Sequence, residues 1–235
     1  MIFELDALLY GLVMDVPIHP SGISQVVVDK VFKRRGQLHA FERLEPARTA
    51  LVVVDLDTRT MAHPENQAMR DLAPKVNALA DRLRRKGGAI AWVTTPIRTA
   101  SANFVAIYGA EFAKSQEDAS VANGDATTIW SGLHRDDVDI CVEKKAASAF
   151  FPGNCALHDL LQERGIVSLL IVGMVTNVCC ESTARDATEL GYQVTMVSDA
   201  MWGHKQGQHQ ATLATFYRNF GDVRPAKEVL ELLDA

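Results

Sequence analysis

The sequence predicts a three-layer α/β/α sandwich built on a mostly parallel sheet, and three observations carry that expectation. From Thr49 onward, short apolar runs of strand length alternate with longer stretches of helical period. Ala50–Asp55, reading ALVVVD, is apolar at successive positions rather than at alternate ones, as a strand covered on both faces requires. Glycines close the helical stretches, at Gly87-Gly88 and at Gly191.

Taken in order, residues 1–47 read as an N-terminal arm and 48–235 as one α/β domain. In the arm, Leu5–Val16 is largely apolar, Pro17, His19, Pro20 and Gly22 interrupt it, and Ile23–Phe32 is a second apolar run. Such an arm is expected to pack on the core or on a second subunit. Ala50–Asp55 is the first strand. Gln67–Arg85 carries Met69, Leu72, Val76, Leu79 and Leu83 as a helical stripe, with Pro74 marking where regular helix can begin. Ala89–Val93 is the second strand. Residues 95–136 are polar and show no sustained period, as expected of a binding lid or a subunit contact. The third strand, Val138–Val142, precedes a helix over Cys155–Arg164. The fourth, Ser168–Val172, precedes a helix over Cys179–Leu190. The fifth, Gln193–Val197, precedes a helix over Gln208–Phe220, and Ala226–Leu233 closes the chain.

Composition narrows the function classes. A net charge of -5 provides no electrostatic footprint for nucleic acid or an anionic membrane, and the basic runs Lys33-Arg34-Arg35 and Arg84-Arg85-Lys86 stand alone. No apolar stretch is long enough to span a bilayer. Glu4 and Asp6 replace the basic start of a signal peptide, and Cys141, Cys155, Cys179 and Cys180 form no framework spacing. A cytoplasmic protein with reduced thiols is expected, with a small-molecule substrate and no nucleic-acid or membrane partner. Neither a G-x-G-x-x-G nor a P-loop motif is present, which removes dinucleotide and P-loop readings.

In open α/β sheets, ligands bind outside the carboxyl ends of the strands. That rule selects Asp55 after the first strand, Lys144 after the third and Cys179 after the fourth. Singly, each has a bland reading: a turn carboxylate, a solvated lysine, a small buried hydrophobe. Together they place a carboxylate, an amine and a thiol at three strand ends. In a helix starting near Val178, the residues Cys180, Ala184, Ala187 and Thr188 share the core face, so Cys180 is expected to be structural. Cys179 lies one step round, at the helix N-terminus, where the macrodipole and a neighbouring ammonium favour a thiolate.

The segment Gly173-Met174-Val175-Thr176-Asn177-Val178-Cys179, running on through Glu181-Ser182-Thr183-Ala184-Arg185-Asp186-Ala187, resembles the nucleophile segment of isochorismatase-like cysteine hydrolases. The members it resembles are those of the N-carbamoylsarcosine amidase and ureidoacrylate amidohydrolase kind. Lys144 before Ser148-Ala149-Phe150, the strand ending in Asp55, and Ser198-Asp199-Ala200 fit the same pattern over roughly residues 49–233. The resemblance implies an isochorismatase-like, Rossmann-like fold, a Cys179–Asp55–Lys144 triad and no cofactor. It also implies a cis peptide before Val175, an oxyanion hole from the Val175 and Cys179 N–H groups, and a homo-oligomer, dimer or tetramer. The sequence departs from the family where a Gln and then an aromatic usually follow the aspartate; here the stretch is Asp55-Leu56-Asp57-Thr58-Arg59-Thr60. Asp57 and Arg59 form a surface pair or line the pocket and select a polar substrate. Phe150, Thr176, Trp202 and His204 are further candidates for contacting substrate. His63 is isolated, and His134 and His158 read as surface residues, so no metal site is expected.

Three functions remain open on the sequence. The first is hydrolysis of an amide, ureido or carbamoyl C–N bond. The second is hydrolysis of an isochorismate-like vinyl ether, disfavoured because family members with that activity lack the cysteine. The third is a non-catalytic binding protein that keeps the fold.

Overall fold

A computed structural model describes residues 19–63, 65–96, 101–122 and 128–235. The predicted apolar run Leu5–Val16 lies outside them. The sheet has six parallel strands: β1 (Thr49–Val54), β2 (Ala89–Thr94), β3 (Ile140–Glu143), β4 (Ser168–Met174), β5 (Gln193–Trp202) and β6 (Asp222–Arg224). Their spatial order is β3-β2-β1-β4-β5-β6. The chain therefore steps outward from β1 to β3, then returns to the other side of β1 to begin β4. The switch point between β1 and β4 is the place where such a sheet opens a crevice.

Ten helices accompany the strands among the described residues: α1 (Gln25–Arg35), α2 (Thr58–Met61), α3 (Gln67–Arg70), α4 (Ala73–Arg85), α5 (Ala102–Tyr108), α6 (Ala110–Ala122), α7 (Leu157–Glu163), α8 (Glu181–Glu189), α9 (Gln206–Asn219) and α10 (Ala226–Asp234). None of them is long and apolar enough to cross a membrane. The period-2 geometry of a strand sorts β1 between two cores. Leu51 and Val53 face α4 and α10, packing with Val76, Leu79, Leu83, Val229 and Leu233. Ala50, Val52 and Val54 face the opposite layer, with Leu157, Leu161, Ala184, Ala187, Leu213 and Phe216. Every residue of β1, β2 and β4 is buried, which is why their sequences are apolar without alternation.

Several boundaries differ from the sequence reading for physical reasons. The predicted helix over Gln67–Arg85 is two helices, with Pro74 in the first turn of α4. β5 runs on past Val197 to Trp202 through a register shift against β4. β6 was not foreseen, because two of its three residues are charged: Asp222 and Arg224 are buried as an ion pair joined by His39. The polar stretch after β2 carries α5 and α6. In the arm, Ile23, Val28 and Val31 belong to the same core cluster as α9, so this part of it packs on its own domain.

Candidate active site

Four neighbouring strand ends deliver four side chains in spatial order: Lys144 after β3, Thr95 after β2, Asp55 after β1 and Cys179 after β4. The backbone sets them locally. The Asp55 N–H donates to the Val93 carbonyl and the Lys144 N–H to the Thr94 carbonyl, so both residues continue the ladder one step past their strands. Asp55 then turns away at φ 56, a left-handed conformation that carboxylates adopt more readily than most side chains. Beside it, Gly173 pairs with Val54 at φ 115, and a Cβ there would stand 2.1 Å from the Val54 carbonyl oxygen. Only glycine lets β1 and β4 approach so closely as they open the crevice. The Met174–Val175 peptide that follows is cis, and the chain enters a π-helical turn over Thr176–Cys180 before α8.

Lys144 is the hub. Its ammonium stands 2.9 Å from Asp55 Oδ2, donates to Thr95 Oγ1 at 2.8 Å, and reaches the Ala146 carbonyl at 3.3 Å and Cys179 Sγ at 3.4 Å. Its side chain is 1% exposed. Burial works against that charge, but Asp55 and Cys179 outweigh it and hold the Lys144 pKa above its ordinary value. Lys145 is exposed, and its backbone N–H donates to Asn154.

The Cys179 thiol differs from the thiolate expected from its position. Burial and the Asp55 carboxylate push its pKa up to about 11, and Lys144 only partly offsets them. The thiol and the Asp55 carboxylate share one neighbour, the Lys144 ammonium. The resting arrangement is therefore an ion pair, Lys144 with Asp55, beside a neutral thiol. Cys180 is fully buried in the core cluster, next to Ala184 and Ala187, and burial holds its pKa well above the ordinary thiol value.

Cys179, Lys144 and Thr95 open onto a cavity of about 290 Å³. That is near the lower end of the roughly 300–1,000 Å³ typical of ligand pockets, and suits a small molecule. Its other described walls include Phe104 and Tyr108 from α5, Val178 beside the thiol, and Arg59 from α2. Arg59 is held by Asp57, which is itself 1% exposed.

The candidate substrate contacts need correction. Asp57 is not in the wall: one oxygen caps α2 by accepting from the Thr60 N–H at 2.8 Å, and the other accepts from Arg59 at 3.3 Å. Phe150 is buried among Tyr192 and His158 on the core side, because the chain after Lys144 turns inward through Ser148-Ala149-Phe150. Thr176 is fully buried and hydrogen-bonded to His209 Nδ1 at 2.8 Å. Trp202 packs on the α4 side of the sheet, and exposed His204 meets it edge-on with ring centroids 4.5 Å apart. None of these five is among the described residues lining the cavity. The sequence reading also missed Thr95, which the strand-end rule would have found had it been applied to β2.

Residues 49–228 match the isochorismatase domain family. The chain is 32% identical over 190 residues to the uncharacterized isochorismatase family protein YwoC of Bacillus subtilis, covering 78% of this chain and 93% of that one. It is 41% identical over 86 residues to the ureidoacrylate amidohydrolase RutB of Acinetobacter baylyi, covering 36% of this chain and 34% of that protein. Among solved structures, a cysteine hydrolase from Pseudomonas syringae pv. phaseolicola superposes with a TM-score of 0.74 at 21% identity, covering 84% of this chain and 98% of the other.

Proposed function

The chain belongs to the isochorismatase family of hydrolases, and from that premise we propose that it cleaves an amide, ureido or carbamoyl C–N bond of a small molecule with Cys179 as nucleophile. The observation that carries the proposal is the contact of one buried ammonium, Lys144, with both Asp55 and the Cys179 sulfur. The segmental similarity to a ureidoacrylate amidohydrolase supports the choice of bond.

Cys179 Sγ attacks the carbonyl carbon while its proton passes to Asp55, so no free thiolate has to exist beforehand. Lys144 keeps its proton throughout and holds both partners by charge. The developing oxyanion is received by the backbone N–H groups of Val175 and Cys179, the roles that the family resemblance assigns to those positions. As the tetrahedral adduct collapses, the C–N bond breaks and the leaving nitrogen takes the proton from Asp55. Water then attacks the acyl-sulfur bond, giving one proton to Asp55, which returns it to sulfur. The acid or carbamate leaves with the water oxygen. Four free thiols suit a reducing compartment, and the cytoplasm is the proposed location.

The test is a panel of small amides, ureides and carbamoyl amino acids, read by released ammonia and by intact mass. An acyl adduct that maps to Cys179 and ammonia release lost in Cys179→Ser are expected. Ammonia release that survives Cys179→Ser would sink the proposal.

A further inference from the structure

We propose that His209 is a positioning residue for this site: through the Thr176 hydroxyl it fixes the turn that carries Cys179, and with it the Val175 and Cys179 N–H groups that the proposed mechanism uses. The inference rests on the hydrolase reading for its kinetic consequence and on the shape of the turn for the anchor itself.

The turn needs support from outside. Over Thr176–Cys180 the chain winds wider than an α-helix, and one carbonyl, that of Val175, accepts from both the Val178 N–H at 3.0 Å and the Cys180 N–H at 3.2 Å. Such π-helical turns are rare and occur mostly at functional sites. Thr176 is fully buried at the start of the turn, and its hydroxyl meets His209 Nδ1 on α9 at 2.8 Å. A buried hydroxyl stripped of its partner is costly, so the imidazole and the turn stay together.

α9 packs against the turn and makes a second tie to it. Thr212 lies three residues beyond His209, on the same face of that helix, and donates to Glu181 Oε2 at 2.8 Å. The two ties bracket the stretch from Thr176 to Glu181, with Cys179 between them. Glu181 is also held by Arg185 of its own helix, whereas Thr176 reaches across to α9. Gly203, in the loop after β5, covers the Thr176–His209 bond: a Cβ there would stand 3.5 Å from both His209 Cβ and Thr176 Oγ1. Burial holds the His209 pKa below its ordinary value, against the Ser198 backbone, so the ring is neutral at pH 7. His209 is not among the described residues lining the Cys179 cavity, so it acts through Thr176 rather than on the substrate.

The bland reading is that the pair only stabilises the fold. It is separated by His209→Leu and Thr176→Val, which delete the bond, and by His209→Asn and Thr176→Ser, which keep an acceptor and a hydroxyl near their places. The Leu and Val changes are also combined. The kcat and KM for ammonia release are measured in proteins shown to be folded by urea unfolding, together with hydrogen–deuterium exchange of residues 174–180. His209→Leu and Thr176→Val are each expected to lower kcat on the order of tenfold to a hundredfold at similar KM, with faster exchange in the turn. The double variant should be no worse than either single one, because both remove the same bond. His209→Asn and Thr176→Ser should recover most of the loss. If His209→Leu does not fold, Thr176→Val and the two conservative variants carry the same comparison. An unchanged kcat in the folded deletion variants, additive losses in the double variant, or wild-type exchange in the turn overturns the proposal. If the wild type releases no ammonia from any compound of the panel, the hydrolase reading falls and exchange decides the anchor alone. Faster exchange in the Leu and Val variants, restored by Asn and Ser, then keeps it, and equal exchange removes it.

Discussion

The Thr95 hydroxyl donates to Asp55 Oδ1 at 2.8 Å while accepting from Lys144 Nζ at 2.8 Å, so the side chain just after β2 joins the carboxylate and the ammonium that follow the two neighbouring strands. A hydroxyl has one proton and two lone pairs, and this arrangement fixes its orientation. It also positions Asp55 with one oxygen on Thr95 and the other on Lys144, leaving the carboxylate little freedom to rotate away from sulfur.

Thr95→Val keeps the shape and deletes both hydrogen bonds. The expected result is a loss in kcat on the order of tenfold to a hundredfold, the range for a bond to a charged group, with KM little changed. Thr95→Ser should restore most of it. Steady-state kinetics of the three proteins check this, and an unchanged kcat in the valine variant contradicts it.

The two adjacent cysteines should respond oppositely. Cys180 is fully buried against the α8 core face, so Cys180→Ala should cost about 1 kcal/mol in urea unfolding and retain turnover. Cys179→Ala should retain the fold and lose turnover. Loss of activity in a well-folded Cys180→Ala, with Cys179→Ala still active, reverses the assignment.

How much of this was visible in the sequence depends on what each residue packs against. The central strands were legible because both of their faces are buried, which leaves no polar position to blur the run. β6 was not, since Asp222 and Arg224 are paid for by a partner, His39, that lies far away in the chain. α5 and α6 were hidden because their large apolar residues are not buried in the core: Phe104 and Tyr108 line the cavity, and Ile107, Tyr108 and Phe112 are exposed. The convergence of Asp55, Lys144 and Cys179 was legible because strand ends are marked by the end of an apolar run. Phe150 and Thr176 were misplaced because sequence proximity to a reactive residue does not say which way the next turn faces.

Gly173→Ala should be among the most damaging small substitutions. The added methyl meets the Val54 backbone, which belongs to the central strand and cannot move aside, and the φ of 115 is strained for any L side chain. A destabilisation of more than about 3 kcal/mol is expected from such a combination of overpacking and backbone strain. Chemical denaturation measures it, and a near-neutral result means that β1 and β4 separate more easily than their pairing suggests.

Asp57→Ala should cost about 1 kcal/mol, the usual value of a lost N-cap, whereas Asp57→Asn keeps the acceptor for the Thr60 N–H and should stay near the wild type. Burial raises the Asp57 pKa, opposed by the Thr60 N–H and Arg59. With the folded value above the unfolded one, any stability linked to this group is present at low pH and is lost as pH rises through the folded pKa. Urea unfolding of wild type and Asp57→Asn from pH 3 upward should show a shallower decline in the variant. Equal slopes contradict it.

The state of the thiol gives the last prediction. Cys179 is raised to about 11, first by burial and then by Asp55, with Lys144 acting in the opposite direction. Only the thiolate reacts with iodoacetamide, so alkylation of the wild type should keep rising with pH toward that value, without a plateau near neutrality. Each neighbour then has a signed effect. Asp55→Asn removes a negative charge, lowers the thiol pKa and speeds alkylation at neutral pH. Lys144→Ala removes the positive charge, raises the thiol pKa and slows it. Lys145→Ala should do nothing, because that side chain is exposed and outside the site. Turnover should fall in both Asp55→Asn and Lys144→Ala, although their alkylation rates move in opposite directions. That divergence separates a base that accepts the thiol proton from a residue that only tunes its acidity. Alkylation rates that fall in both variants contradict the neutral-thiol arrangement, and a wild-type plateau between about pH 6 and pH 8 restores the preformed thiolate that a low-pKa cysteine would show.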